Sequence, residues 1–438
     1  MIARIGEARV EFFHRPFVQP LIISSGAITE ITEARAHVRV EVDGREAWGR
    51  GAMYLSDLWA WPEPSLSHDQ RDAVLRRLCL SIARNLPDQC GGEAAHPLEL
   101  GMRLHHALVG HGGPPSGSER ADAGSASAEP QPTALARAMC LSPFDAAIHD
   151  AVGAALGVSA MALYDDPVPM PEADRLFGGE SAARVIAAML RSQPARAFDA
   201  WLVVGEADDL GSVVRPWIDE RGYRAFKLKI LGRDPKADAE RTVEVFRALR
   251  AFGVARPRLT ADSNGATPSP DAAVEYLEHV RDRDADAFDA LEYIEQPTGR
   301  DIVAQPHDWR AVAATKPVLL DEGLTDEAAM ALSVEQGWSG FALKTCKGHS
   351  FALTAAAWAH RRGMLVALQD LTNPGLAAIH AGLFAAFVPT INGVELNSAQ
   401  FTPAANEEWL PRLAAFLEPR DGTHRLAGAI PDGLGGRW

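Results

Sequence analysis

The chain has 438 residues, of which 47% are hydrophobic, so it can bury a large core and is expected to form two domains or more. Its formal net charge of -15, without any run of Lys and Arg, argues against nucleic acid and anionic membrane surfaces as partners. The sequence contains no apolar stretch of about 18 residues, so no membrane-spanning helix is predicted. The first residues lack the layout of a signal peptide. The cysteines are scattered, which predicts free thiols in a cytoplasmic protein; they are Cys79, Cys90, Cys140 and Cys346.

The N-terminal third of the chain mixes strand and helix patterns. Two alternating runs joined around Asp43-Gly44 predict a β-hairpin. Helical periodicity covers residues 70–87 and 95–108, and Ser142-Pro143 predicts the start of a further helix. Residues 110–133 are rich in Gly, Ser, Pro and Ala, which is typical of a flexible surface insertion.

From about residue 198, short apolar runs alternate regularly with helical segments. Such alternation is typical of a parallel sheet, and eight strands favour a closed barrel of the TIM type. The predicted strands are FDAWLVVG (198–205), AFKLKI (225–230), PRLTAD (257–262), LEYIEQ (291–296), PVLLDE (317–322), GFALKT (340–345), LVALQD (365–370) and NGVELN (392–397).

Every predicted strand after the first carries a charged residue at or near its end. The carboxyl ends of barrel strands form the active-site face, so these side chains are expected around one mouth. They are Lys229, Asp262, Glu295, Asp321, Lys344, Asp370 and Glu395. Lys227 lies two residues before Lys229 and is expected on the same face of its strand. One polar strand end is ordinary, but seven in phase predict a functional site.

Three carboxylates follow neighbouring strands, namely Asp262, Glu295 and Asp321. Because they repel one another unless a cation lies between them, they predict an all-oxygen site for Mg²⁺, with Mn²⁺ as second choice. The lack of His or Cys at these positions argues against zinc. A lysine beside a second lysine and a divalent cation is expected to have a pKa lowered toward neutrality, so it could act as a base.

Five short motifs follow one another along the predicted strands. They are K-x-K at Lys227 and Lys229, D-x-N at Asp262 and Asn264, E-Q-P at 295–297, D-E at Asp321 and Glu322, and K-x-x-K at Lys344 and Lys347. In this order and spacing they resemble the enolase superfamily, in the muconate-lactonizing-enzyme branch of its mandelate racemase/muconate lactonizing enzyme group. The resemblance covers nearly the whole chain. The resemblance implies a modified (β/α)7β barrel over 171–399 and an α+β capping domain over 1–170, completed by 400–438. Barrels of this kind often form homo-oligomers.

The same resemblance implies roles for three carboxylates and three lysines of the mouth. The metal ligands are Asp262, Glu295 and Asp321, with Glu322 as a neighbour. The acid/base groups on opposite faces of the substrate are Lys229 and Lys344. By the same resemblance, Lys227 polarises a substrate carboxylate. Asn264, Asp370 and Glu395 are further candidate residues for substrate binding or support of the site, and Glu395 could donate a hydrogen bond if protonated.

Removal of a proton next to a carboxylate creates an enediolate, whose charge Mg²⁺ and an ammonium group stabilise. Racemisation or epimerisation uses two bases, dehydration of an acid sugar uses one base and one acid, and cycloisomerisation uses one lysine as an acid. A Schiff-base aldolase that uses Lys344 is an alternative, but it has no use for three carboxylates. A barrel that has lost catalysis and serves as a scaffold is the third possibility.

The chain departs from the family pattern after its sixth strand. His349 and Ser350 follow the K-x-x-K motif, where relatives usually carry a Gly-Gly pair. His349 is interpreted as a helix-start residue in preference to a catalyst. Asp370 stands where a small or uncharged residue is expected, and it could pair with Lys344 or cap the helix that opens at Pro374.

Two segments, 20–32 and 51–64, are candidate lids over the barrel mouth. Tyr54, Trp59 and Trp61 in the second segment could cover a partly apolar substrate, or could serve ordinary packing between domains. Neither segment offers an arginine for a second carboxylate. The expected partner is therefore a small-molecule carboxylate, and a dicarboxylate is not favoured.

Overall fold

The computed structural model describes residues 1–110, 130–164, 168–369 and 371–438. Most of the predicted insertion at 110–133, and Asp370, lie outside the described residues. The strands are β1 Ala3–Ile23, β2 Gly26–Val42, β3 Arg45–Leu55, β4 Ala197–Asp199, β5 Trp201–Val204, β6 Ala225–Lys229, β7 Arg258–Asp262, β8 Leu291–Glu295, β9 Val318–Leu320, β10 Gly340–Leu343, β11 Leu365–Leu368 and β12 Thr423–Arg425.

The helices surround the strands of the barrel and cover one side of the N-terminal sheet. They are α1 Asp57–Ala60, α2 His68–Gln89, α3 Pro97–Leu108, α4 Ala134–Leu156, α5 Pro171–Asp174, α6 Ala182–Met189, α7 Arg215–Arg221, α8 Pro235–Ala251, α9 Pro270–Arg283, α10 Ala285–Ala290, α11 Arg310–Ala313, α12 Glu327–Glu335, α13 His349–Arg361, α14 Gly375–Phe387, α15 Ser398–Phe401 and α16 Ala414–Leu417.

The N-terminal sheet is antiparallel, in the order β1-β2-β3. The predicted hairpin is confirmed between β2 and β3, where Asp43 and Gly44 have φ values of 52° and 74°, as expected for a two-residue turn that suits the twist of its strands. Val38 and Val40 alternate with more exposed neighbours and bury one face of β2. That face contributes to the apolar core shared with α2 and α4.

Helix α4 begins earlier than the sequence predicts. Thr133 caps it by accepting a hydrogen bond from the backbone of Ala136 at 3.1 Å, and Pro143 lies inside the helix. The predicted start at Ser142-Pro143 is wrong because the preceding turns are buried, and their packing outweighs the hydrogen bond that the proline removes. Gly51 permits the close approach of β3, since a Cβ there would lie 2.0 Å from the carbonyl oxygen of Pro143.

Seven parallel strands form the barrel sheet, in the order β5-β6-β7-β8-β9-β10-β11. The predicted eighth strand, 392–397, is an extended segment that forms no regular ladder. Glu395 donates its N–H to the carbonyl of Leu368 at 3.1 Å, and the Asn392 side chain bonds both backbone groups of Leu368. On the other side, Trp201 Nε1 donates to the Asn392 carbonyl at 2.9 Å. Side chains therefore complete the closure where ladder bonds are missing.

The α/β barrel with an antiparallel α+β cap confirms the predicted fold class. The four cysteines all fall within the described residues, are buried and form no disulfide. Every described helix is too short or too polar to cross a membrane. The domain limits at residues 170 and 400 stay a prediction.

Candidate active site

The two lysines of β6 reach the mouth of the barrel from the same face. Parallel register sets Lys229 beside Asp262 on β7, and Asp262 beside Glu295 on β8. Lys227 is buried below this level, with its Nζ 2.9 Å from Glu295 Oε1, 3.1 Å from Asp262 Oδ2 and 3.6 Å from Glu395 Oε2. Lys229 lies nearer the solvent and donates to Asp262 Oδ2 at 2.6 Å and to Asn264 Oδ1 at 3.0 Å.

Lys344 approaches the same carboxylates from the opposite flank, because its strand, β10, is three strands beyond β7 in the sheet. Its Nζ lies 3.0 Å from Asp321 Oδ2 and 3.7 Å from Glu295 Oε1. Lys347 contacts the other oxygen of Asp321 at 3.1 Å. Glu295 thus lies between a lysine of β6 and the lysine that follows β10, and the structure brings all the described residues of the predicted ring together.

The surrounding carboxylates decide the charge of the buried lysines. Burial alone would lower the pKa of Lys227, but Glu295, Glu395 and Asp262 outweigh it and raise that pKa well above its usual value. The pKa of Lys344 is also raised, because the attraction of Asp321 overcomes burial. The carboxylates therefore dominate the field around Lys227 and Lys344, and the lowered pKa expected for a lysine beside a divalent cation stays a prediction.

The carboxylates respond unequally to their neighbours. Burial tends to raise the pKa of Asp262, but Lys229 and Lys227 lower it to about 2. Burial, supported by the nearby Asp262 and Asp321 carboxylates, raises the pKa of Glu295 to about 8 against the opposing effects of Lys227 and Lys344. Glu295 is therefore the carboxylate whose ionised form an additional positive charge would stabilise most.

Asp262, Glu295 and Asp321 fit a divalent cation in the chemistry of their donors. All three present oxygen atoms from neighbouring strands, and the buried Oε2 of Glu295 has no hydrogen-bond partner within the described ranges. No three His, Cys, Asp or Glu side chains of the described chain surround a common ion position as they stand. The reason is that ammonium groups lie between the carboxylates, so an ion would take over contacts that the lysines now make.

A partly open pocket with an empty volume of about 460 Å³ lies above these groups. Its polar floor contains Lys227, Lys229, Lys344, Asn264, Glu395 and Asn397. Its apolar walls contain Leu21, Ile23, Ile28, Trp59, Val203 and Leu371. The tip of the β1–β2 hairpin therefore covers the mouth, as the first lid segment predicts, and Ser24 Oγ fixes it by donating to the Asn264 carbonyl at 3.1 Å.

The aromatic residues of the second lid segment divide between pocket and core. Trp59 lines the pocket, donates from Nε1 to Glu322 Oε1 at 2.8 Å and has Lys344 Nζ 5.7 Å from its ring centroid. Tyr54 does not reach the pocket: its hydroxyl donates to Thr402 Oγ1 at 2.9 Å beside Ala405. The prediction of Tyr54 as a lid residue is wrong, because β3 turns this side chain toward the C-terminal segment. Trp61 packs in the N-terminal core.

Two glutamines support the site without being evident from the charged motifs. Gln369 is buried at the end of β11, accepts from Lys227 Nζ at 3.2 Å and donates to the Tyr293 hydroxyl at 2.8 Å. Gln296, in the E-Q-P motif, accepts from the backbone N–H of Asp321 at 3.0 Å. The sequence signal for Gln296 is its place in the E-Q-P motif, whereas Gln369 has only its position next to Asp370.

His349 begins α13, as its interpretation as a helix-start residue predicts, and it is buried. Its ring centroid lies 4.5 Å from that of His149. Neither ring nitrogen of His349 has a hydrogen-bond partner among the described residues. Burial lowers the pKa of His349 to about 4, and burial together with His349 and Arg50 lowers the pKa of His380 to about 3.

His380→Leu is expected to make the protein less sensitive to acid. The folded state resists protonation of His380 while the unfolded chain accepts it, so stability is complete above about pH 6.5 and falls as the pH drops toward 3. Between pH 7.5 and pH 5 this residue should cost about 2 kcal/mol, which the variant recovers. Urea unfolding at both pH values measures the difference, with the exposed His14→Leu as control. An unchanged pH dependence in His380→Leu would refute the prediction.

A sequence profile of the family described as "Enolase C-terminal domain-like" matches residues 209–433, more than half of the chain. No curated protein sequence matches the chain. Among solved structures, an enolase from Bradyrhizobium complexed with magnesium and mandelic acid aligns over 99% of this chain and 96% of its own, with 20% identity and a TM-score of 0.61.

Two further structures show the same fold. A muconate lactonizing enzyme from Pseudomonas fluorescens complexed with muconolactone has 19% identity over 99% of this chain and 96% of its own, with a TM-score of 0.62. The L-Ala-D/L-Glu epimerase from Bacillus subtilis has 14% identity over 99% of this chain and 98% of its own, with a TM-score of 0.63. With the profile match and the barrel geometry, the chain belongs to the enolase superfamily of enzymes, in the mandelate racemase/muconate lactonizing enzyme group.

Proposed function

We propose that the protein is a Mg²⁺-dependent enzyme that abstracts the α-proton of a carboxylate substrate, as a racemase or epimerase. The observation that carries the proposal is the pair of lysines, Lys229 and Lys344, on opposite flanks of one group of buried carboxylates. A single-base reaction would need only one of them.

Asp262, Glu295 and Asp321 would hold the metal. When bound, Mg²⁺ supplies positive charge that stabilises the negative charge on the substrate carboxylate. Its charge would also offset the burial of the Glu295 carboxylate, which raises the pKa of that group to about 8. Mn²⁺ has the same donor preferences and is the second candidate.

The three lysines of the site have different roles in the proposed reaction. Lys227 is buried and keeps its proton, because carboxylates raise its pKa, so it serves as a fixed cation for the substrate carboxylate. One of Lys229 and Lys344 takes the α-proton on its Nζ, and the electron pair of the broken C–H bond moves into the enediolate. The other lysine returns a proton to the opposite face, which inverts the stereocentre and leaves the enzyme with the two protonation states exchanged.

The lining of the pocket favours a carboxylate substrate whose other groups are apolar. Its walls are aliphatic and aromatic, with Ile23 and Trp59 facing the lysine floor, and no arginine lines it within the described residues. A second substrate carboxylate would be desolvated there without a partner, which costs several kcal/mol. Monocarboxylates that carry an α-hydrogen and an apolar substituent are therefore the proposed substrate class.

Incubation of the enzyme with Mg²⁺ and a carboxylate panel in deuterated buffer tests the reaction class. Exchange at the α-carbon without net loss of substrate, from both stereoisomers, is expected for a racemase or epimerase. Formation of a keto acid would instead identify a dehydratase, and formation of a lactone a cycloisomerase. Trapping of a keto acid on Lys344 by borohydride would replace the proposal with a Schiff-base aldolase.

Ile23→Arg is expected to change which carboxylates the enzyme accepts. Loss of one apolar wall should lower kcat/KM for an apolar substrate by about 10- to 200-fold, while substrates with a second carboxylate should gain. The neighbouring Ile22→Arg is the matched control, since Ile22 is 53% exposed and does not line the pocket. Equal effects of the two substitutions, or an unchanged preference in Ile23→Arg, would contradict the proposed substrate class.

A further inference from the structure

A short turn connects the end of β10 to α13 and carries both lysines of the K-x-x-K motif. The backbone N–H of Lys347 donates to the carbonyl of Lys344 at 3.1 Å, and the backbone N–H of Gly348 donates to the carbonyl of Thr345 at 3.1 Å. Helix α13 begins immediately afterward, at His349. Only this tight turn separates Lys344, which directly follows β10, from the start of the helix, so a shift of the helix start would also move the turn.

Asp145, from the N-terminal part of the chain, holds that helix start. It is a buried residue of α4, and its Oδ2 accepts from the backbone N–H of Ser350 at 2.8 Å. Its Oδ1 accepts from the Ser350 hydroxyl at 2.7 Å. α13 has no capping side chain at its own N-cap, Gly348, so the carboxylate of another helix takes that place.

The surrounding residues leave room for this contact. Gly348 has a φ of 102°, and a Cβ there would lie 3.1 Å from Asp145 Oδ2. A Cβ at Gly101 of α3 would lie 2.1 Å from Asp145 Oδ1. His149, one turn further along α4, completes the arrangement with its Nε2 2.9 Å from the Ser350 hydroxyl. His349 and Ser350, the departure from the Gly-Gly pair of relatives, thus belong to a built contact between α4 and α13.

We propose that Asp145 is a positioning residue for Lys344, acting across the two helices through the start of α13. The carboxylate fixes the first turn of α13, the turn fixes residues 344–348, and these hold the ammonium groups of Lys344 and Lys347 against Asp321. The consequence for catalysis rests on the proposed function, whereas the consequence for the position of Lys344 does not. Asp145 has no role in proton transfer, since it contacts Ser350 and not the pocket.

Reductive methylation of lysines in the full-length protein, quantified by peptide mass spectrometry, tests the position of Lys344 without a substrate. Asp145→Ala is expected to raise the labelling rate of Lys344 about tenfold, because its side chain, which is 4% exposed, is no longer held against Asp321 and becomes accessible to the reagent. Asp145→Asn keeps a hydrogen-bonding oxygen and should restore a rate close to that of the wild type.

Asp150→Ala is the matched control. Asp150 is a buried carboxylate on the same helix that accepts backbone N–H bonds from Leu434 and Gly436, at 2.8 and 3.0 Å, in the C-terminal segment. Its loss should lower thermal stability as the loss of Asp145 does, without changing the labelling of Lys344. Labelling that is unchanged in Asp145→Ala, or raised equally in Asp150→Ala, would overturn the proposal. If Asp145→Ala does not fold, Ser350→Ala is judged by the same criterion.

On any carboxylate whose α-proton the wild type exchanges, Asp145→Ala is expected to lower kcat by about 10- to 100-fold with little change in KM. A merely structural role would lower the amount of active enzyme and leave kcat per folded molecule intact. If the wild type exchanges no carboxylate, the proposed function fails, while the labelling ratio still decides whether Asp145 positions Lys344.

Discussion

Lys229→Ala and Lys344→Ala are each expected to stop α-proton exchange for one stereoisomer of the substrate while sparing the other. Each lysine reaches the carboxylate group from its own flank, with Lys229 on Asp262 and Lys344 on Asp321. Loss of a positioned acid or base should reduce the rate on its own face by about 100- to 10,000-fold. Proton NMR in deuterated buffer, started separately from each stereoisomer, measures the two rates.

Lys236→Ala, in the exposed first turn of α8, provides the control for removal of a lysine. A dehydratase would give a different pattern, in which only one of the two active-site substitutions stops exchange and the other slows departure of the leaving group. Near-full exchange in both variants would contradict the role of the lysine pair. Asp370 and His349 would then be the next bases to examine.

Asp321→Asn is expected to remove most of the stabilisation of the protein by Mg²⁺ and to leave the fold intact. A ligand that binds only the folded state stabilises it by about 2.7 kcal/mol when its concentration is 100-fold above Kd. The wild type should show this gain in thermal unfolding, and Asp321→Asn should lose most of it, because one of three oxygen-donating carboxylates is removed.

Glu322→Gln separates the two acidic residues of the D-E motif. Glu322 accepts from Trp59 Nε1 at 2.8 Å and from Asn264 Nδ2 at 3.0 Å, contacts that a glutamine oxygen can also make. This variant should therefore retain stabilisation by Mg²⁺. Equal loss in both variants would mean that the ion lies elsewhere, or that Glu322 is also a ligand.

Residue order and spacing were sufficient to predict the barrel and the convergence of its charged strand ends. Parallel strands end at one edge, so Asp262 and Glu295 had to come together once β7 and β8 paired. The hairpin at Asp43 and Gly44 was equally predictable, because its turn needs residues that tolerate positive φ.

Features that depend on tertiary packing could not be predicted from local sequence patterns. Burial of the first turns of α4 carries the helix through Pro143, which looks like a helix start in isolation. Tyr54 faces Thr402, a partner 348 residues away, so spacing within β3 could not reveal its direction. Segment 392–397 has the pattern of a strand, but it joins β11 through one backbone hydrogen bond from Glu395 and the side-chain amide of Asn392 in place of a regular ladder.

The pKa of a buried lysine also depends on tertiary packing, so local sequence patterns do not predict it. Motif spacing places Lys227 near a second lysine and several carboxylates, but it does not give the distances between their charged atoms. The three-dimensional arrangement sets Glu295, Glu395 and Asp262 around its Nζ, and together they raise its pKa. Only the distances decide which neighbours dominate, since Coulomb energies fall with separation.

The most direct test of the account is the exchange of α-protons by the wild-type enzyme with Mg²⁺ in deuterated buffer, followed by NMR on a panel of apolar monocarboxylates. We expect deuterium at the α-carbon of at least one member, from both stereoisomers, with loss of exchange on chelation by EDTA and in the double variant Lys229→Ala/Lys344→Ala. Failure of every carboxylate to exchange, or exchange that persists in the double variant, would contradict the proposal that this barrel abstracts α-protons with paired lysines.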